Sequence, residues 1–263
     1  MTAVPRTPSD PSEAAQRPPK PPNNLVGLVL LAGFFGSGWG LARGVATGPL
    51  TFAFVMLGWV LSVMAHEFSH AATAYLGGDH TVREKGYLAF DPRRYGDLGT
   101  SVILPVIFLA LGGIGFPGGA VFLRNDLMRG PLWRAAAALA GPAATLVVLL
   151  VLAFVLNHWA GPPGPLYAAA TMLAFLQATA LILNLLPLPG LDGFAVIRPF
   201  LPQGLAPHIR RAEGLAMALL FILLMLSPQF GGLLLGAGAR LIEALGLWPQ
   251  ALNTGWRAFH FWR

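Results

Sequence analysis

Cysteine is absent from all 263 residues, which excludes disulfides, iron–sulfur clusters and thiolate metal sites. Any metal here must be held by His, Asp or Glu. Charge is also scarce. Charged residues make up 11 % of the chain, against about 25 % in an ordinary soluble domain, too few to cover a water-facing surface. A soluble enzyme, a disordered protein and a nucleic-acid-binding module are therefore poor fits. What is abundant is apolar: 55 % hydrophobic residues and a mean hydropathy of +0.63. The net charge of +6 comes from basic residues set between apolar runs, the pattern of cationic cytoplasmic loops in a membrane protein.

Residues 1–24, rich in Pro, Ser and charge, read as a disordered cytoplasmic tail. Asp10, Glu13 and several prolines break any signal-peptide pattern, so the first apolar run is expected to remain as a span. A helix crossing the hydrocarbon core needs about 20 apolar residues. Leu25–Ala42 fits a first span and Leu50–Gly77 a second, interrupted only by His66, Glu67 and His70. Residues 98–123 are uncharged but dense in Gly and Pro. Ala135 to Leu191 holds no Asp, Glu, Lys or Arg and has room for two spans, divided near His158 and the turn at 161–165. Gly214–Ala239 is a last apolar run, with Ser227 and Pro228 in its middle.

If the tail is inside and 98–123 dips in and returns, thirteen basic residues lie inside and Arg43 alone outside. A full crossing by 98–123 would even out that bias, so the positive-inside rule favours a re-entrant segment. Broken backbone at membrane depth is tolerated where protein or a wet cavity covers it. The fold expected is an all-α membrane protein, a polytopic helical bundle of about five to six transmembrane helices with a Gly/Pro-rich re-entrant segment. Residues 25–247 would form one domain with its core at 50–200. Residues 248–263 would form an interfacial tail; the stretch after Ala239 suits either face, and its Trp248, Trp256 and Trp262 suit an aromatic belt.

Ionisable residues inside a span are costly and mark function by default. The second apolar run contains His66-Glu67-Phe68-Ser69-His70. On a helix His66 and His70 are one turn apart and face the same way, so both imidazoles can ligate one metal. Glu67 is offset by about 100°, within reach of a water at that metal. This is the H-E-x-x-H arrangement of zinc hydrolases. Random placement of six His and five Glu yields it in about 0.003 of such chains. Catalytic zinc takes three protein ligands and leaves one position open, so a third is missing. His158 reads as an interfacial histidine, and His80, His208 and His260 lie in polar loops or the tail. Asp192 follows an apolar stretch that Pro187, Pro189 and Gly190 would unwind. Alone, Asp192-Gly193 would read as a turn; beside a two-histidine half-site that lacks a carboxylate, it becomes the leading candidate.

HEFSH within a span, followed much later by NLLPLPGLDGF (184–194), resembles the site-2 protease family of intramembrane zinc metallopeptidases. GYLAFDPRRYGDLGT (86–100) and GFPGGAVFLR (115–124) look like the loop and glycine-rich re-entrant element of its compact bacterial branch, without PDZ or CBS domains. LAGPAAT (139–145) is similar to the family's A-G-P-x-x-N helix, with Thr145 where many relatives have Asn; no role is assigned to Thr145. The resemblance implies that His66, His70 and Asp192 hold one Zn2+ and that Glu67 is the general base for zinc-activated water. It points to Asn184 as a donor to the oxyanion, although an Asn so near Pro187 also suits a cap on unwound backbone. It implies a zinc endopeptidase of the bacterial plasma membrane, its site toward the cytoplasm, that cuts single-span proteins within or near their transmembrane segments. A substrate helix must unwind first, so Gly, Pro, Ser or Asn near the cut is expected, and Gly118-Gly119 is a candidate edge for pairing with the unwound strand.

Three other readings stand beside this one. A membrane zinc hydrolase acting on a lipid amide would use the same residues. A pseudoenzyme that sequesters membrane proteins would have no need of Glu67. A metal transporter would need further intramembrane carboxylates or histidines, which the long uncharged runs lack.

Overall fold

The computed structural model describes residues 24–95 and 121–263. Among them every regular element is helical: α1 Leu25–Ala42, α2 Thr47–Gly77, the single turn α3 Thr81–Glu84, α4 Pro131–Asn157, α5 Pro165–Asn184, the short α6 Asp192–Ile197, α7 Ala206–Leu226, α8 Pro228–Ala244 and α9 Pro249–Phe259. Helices α1, α2, α4 and α5 are each long and apolar enough to cross a membrane. The expected boundaries of the first run are met at both ends, and α2 starts three residues earlier than Leu50. The tail (residues 1–23), the 98–123 segment up to Ala120 and Gly118-Gly119 lie outside the described residues.

The last apolar run is not one straight span. It forms α7 and α8, which meet at 91°. Pro228 has no N–H to continue α7, and Ser227 starts the new helix by accepting the Phe230 N–H on its Oγ at 3.3 Å. Counted as one broken span, the pair brings the total among the described residues to five.

α5 is the centre of the bundle. Of its span window 89 % is buried inside the protein, against 22 % for α1. Its run of Ala168, Ala169, Ala170, Ala174, Ala178 and Ala180 lets neighbours approach closely, as small residues do where helices pack in lipid. α2, α4, α8 and α9 all pack against it. Outer faces carry large apolar side chains such as Val147, Val151 and Phe154 on α4, which in a bilayer meet acyl chains and cost nothing.

The C-terminal stretch is helical and docked on the bundle. Phe259 is fully buried, with its ring 5.2 Å from Phe52 near the start of α2. Trp256 meets Phe175 of α5 at 6.3 Å. α9 therefore caps the bundle end where α2 and α5 begin, opposite the end from which α5 leads to Asp192. His260, expected in the tail, is 5 % exposed and packed among Trp256, Phe259 and Trp262.

Candidate metal centre

α2 presents His66 and His70 to α4 with both side chains buried. Their ring planes are nearly perpendicular, with centroids 4.7 Å apart, and the two Nε2 atoms are 3.0 Å apart. The third group arrives from sequence position 192. α5 ends at Asn184, non-helical backbone follows through the prolines, and Asp192 opens α6 after an extended Leu191. Gly193 allows this: a side chain there would run into the Leu185 carbonyl oxygen. Asp192 Oδ2 is 3.1 Å from His66 Nε2 and Oδ1 is 3.5 Å from His70 Nε2.

These separations fit a metal. Tetrahedral zinc with ligands at 2.0–2.1 Å places them roughly 3.3 Å from one another, and the three donors stand at 3.0 to 3.5 Å. The orientation of the rings agrees. His70 Nδ1 donates to the Ala137 carbonyl at 2.7 Å, and His66 Nδ1 lies 2.9 Å from Thr145 Oγ1, which in turn donates to the Gly141 carbonyl at 3.3 Å. Both partners belong to α4. With the Nδ1 positions so engaged, each neutral ring turns its Nε2 lone pair toward the other and toward a carboxylate. A cation satisfies all three at once, and outer partners of this kind fix the tautomer of a ligating histidine.

α4 approaches this closely because residue 141 is Gly. A Cβ there would stand 2.5 Å from His66 Nε2 and overlap His70 Nε2 as well. Pro142 follows directly inside the helix, where it removes one backbone hydrogen bond.

Glu67 is 4 % exposed and accepts the Val121 N–H on Oε2 at 3.1 Å. Val121 begins a segment clamped to the end of α2. Buried Asp79 accepts the Arg124 N–H at 2.7 Å and also Thr81 N–H and Oγ1–H. Gly77 O accepts Arg129 N–H at 2.9 Å, the Arg129 guanidinium bonds Leu76 O, and Lys85 Nζ donates to Phe122 O at 2.7 Å. Nearby, Asp91 is paired with Arg93 at 2.7 Å, which holds its carboxyl below the usual carboxylate range.

Asn184 lines a cavity with His66, Glu67 and Thr145, bounded on the far side by Trp59 and Gln177. All five residues singled out from the sequence thus meet at one place, whereas His80, His158, His208 and His260 lie outside the donor cluster. Sequence reasoning missed Thr145, Gly141 and Gln177. The A-G-P match pointed to the first two. Gln177 carries no charge and belongs to none of the matched motifs, so no sequence signal marks it.

Comparisons with known proteins give the family of the chain. No protein-family model and no solved structure matches the chain. Among curated proteins it is 41 % identical over 227 residues to "Putative zinc metalloprotease Rip2" of Mycobacterium tuberculosis, covering 83 % of this chain and 86 % of that one. The chain belongs to the site-2 protease family of zinc metalloproteases. The protein of the same name in Mycolicibacterium smegmatis is 37 % identical over 80 % of this chain and 81 % of its own. "Putative zinc metalloprotease YwhC" of Bacillus subtilis is 29 % identical over 77 % and 87 %. Membership in the site-2 protease family and the spanning helices together make this a multi-pass membrane protein, and its cofactor is zinc.

Proposed function

We propose that this site-2 protease hydrolyses peptide bonds within or beside the membrane-spanning segments of single-span proteins. In this reading His66, His70 and Asp192 hold the zinc ion and Glu67 is the general base. The observation that carries it is the convergence of three donors at ligand spacing inside the helical bundle, with Glu67 on the adjoining helix face. When bound, zinc supplies Lewis acidity, which brings the pKa of water toward ~7 and polarises a carbonyl. Glu67 takes the proton of the attacking water on its carboxylate and passes it to the leaving amine, while the Val121 N–H holds one carboxylate oxygen and so fixes its orientation. The Asn184 amide, at the same cavity, donates to the oxyanion as the carbonyl becomes tetrahedral.

His66 lies 19 residues into the 31-residue α2, about 28 Å along its axis. With the N-terminal tail inside, this puts the metal in the cytoplasmic third of a core about 30 Å thick. Substrates of this site carry helix-weakening residues near the cut, because a regular helix ties up its carbonyls in i→i−4 bonds.

Co-expression of the wild type or Glu67→Gln with a tagged library of single-span proteins tests the proposal. Fragments are expected with the wild type alone, and purified wild type should contain one zinc per chain. The same fragments in both strains, or purified chain free of stoichiometric zinc, would overturn it.

A further inference from the structure

Of the three donors, Asp192 alone stands outside a long helix. It opens the six-residue α6, and a helix that short is not stable by itself. The chain reaches it through a tight turn. Leu191 N–H donates to the Leu188 carbonyl at 3.0 Å, with Pro189 at the second position and Gly190, at φ +101°, at the third. This is the type II pattern, which needs glycine at its third position. Such a turn sets the direction of α6 but does not fix its place, so the position of Asp192 depends on what packs around it.

Two helices brace this unit. On one side α6 packs against α4, the helix that orients both histidines. On the other side lies α7. Met217 rests so closely on Gly190 that a Cβ there would stand 2.5 Å from its Cγ. Leu191 is buried in one apolar cluster with Leu220 and Leu224. Arg198, which follows directly on α6, pairs with Glu213 at 2.7 Å. Glu213, Met217, Leu220 and Leu224 are spaced four, three and four residues apart, so they form a single face of α7. That face meets the chain on both sides of Asp192, at Gly190 and Leu191 before it and at Arg198 after it.

We propose that α7 positions the third zinc ligand: Glu213 and Met217 are positioning residues that hold the turn and the end of α6 so that Asp192 reaches His66 and His70, and docking of α7 is thereby coupled to zinc occupancy. The proposal rests on the ligand role given to Asp192 above, and it goes further by naming what keeps that ligand in place. Such a coupling is reciprocal: the factor by which a docked α7 raises zinc affinity is the factor by which zinc favours the docked α7.

The test uses purified full-length protein and reads zinc rather than turnover. In a chelator competition Arg198→Glu and Glu213→Arg should each raise the zinc Kd about five-fold, the upper range for a half-exposed ion pair. The double exchange, which restores the pair, should return to within about two-fold of the wild type. Wild-type affinity in both single variants, or losses that simply add in the double, overturns the tether. A second measurement reads α7 itself and needs no charge change. Because the chain lacks cysteine, Leu220→Cys on the inner face (Leu220 is 2 % exposed) and Leu219→Cys beside it (Leu219 is 53 % exposed) each carry one thiol. Removal of zinc should speed modification of the first by N-ethylmaleimide about ten-fold and leave the second unchanged. Equal rates for Leu220→Cys with and without zinc overturn the coupling, and so does faster labelling of both thiols, the sign of general loosening. This labelling decides alone should the charge variants fail to fold. Full zinc retention in Asp192→Ala overturns the ligand role itself, and the positioning proposal with it.

Discussion

Gly141 and Thr145 sit one turn apart on α4 and act on the same two histidines in different ways. Gly141 keeps space where a Cβ would stand 2.5 Å from His66 Nε2. Gly141→Ala should therefore abolish stoichiometric zinc, measured by elemental analysis, while circular dichroism still shows the helical bundle. Thr145 leaves the space alone and engages His66 Nδ1 at 2.9 Å. Thr145→Val should weaken zinc retention by about 10–100-fold in a chelator competition, and Thr145→Ser should restore it. Full zinc affinity in both Gly141→Ala and Thr145→Val would mean that α4 does not shape the centre. His66, Glu67 and His70 were legible because their spacing within one helix is itself geometry. Thr145 was not, because its contact spans 79 positions of sequence.

At the scale of elements, the notable connection is between the end of α2 and the segment that starts at Val121. Asp79 is fully buried and accepts three hydrogen bonds, one of them from the Arg124 backbone. Asp79→Ala strands those donors at a cost of about 1–3 kcal/mol and loosens the segment whose first N–H holds Glu67. Trypsin should then cut after Arg124 faster than in the wild type, and turnover should fall while zinc content holds. Unchanged proteolysis and turnover would show that the clamp is incidental. The 91° junction of α7 and α8 belongs to this scale as well. Ser227-Pro228 marked a break in the sequence, but the angle depends on what each half packs against.

For the whole molecule, the absence of cysteine makes orientation directly measurable, since each introduced thiol is unique. Val45→Cys lies between α1 and α2, and Asp126→Cys lies beyond the opposite end of α2. A membrane-impermeant maleimide should label the first in intact cells and the second only after permeabilisation; the reverse pattern would invert the proposed topology. Gln250→Cys, on α9, should behave as Val45→Cys does, because α9 docks where α2 and α5 begin. Labelling of Gln250→Cys together with Asp126→Cys would contradict that docking.

Membrane residence, the helical class, the four long spans and the candidate donors were legible in the sequence alone. Apolar run length and the high cost of buried charge act locally, and a linear pattern records them. Three things depended on packing between distant segments: the meeting of Asp192 with the two imidazoles, the close approach of α4 at Gly141, and the end of the bundle that receives α9. Each is a choice among surfaces of similar apolarity. In lipid such choices rest on steric fit and on a few buried hydrogen bonds, which exist only once the helices are assembled.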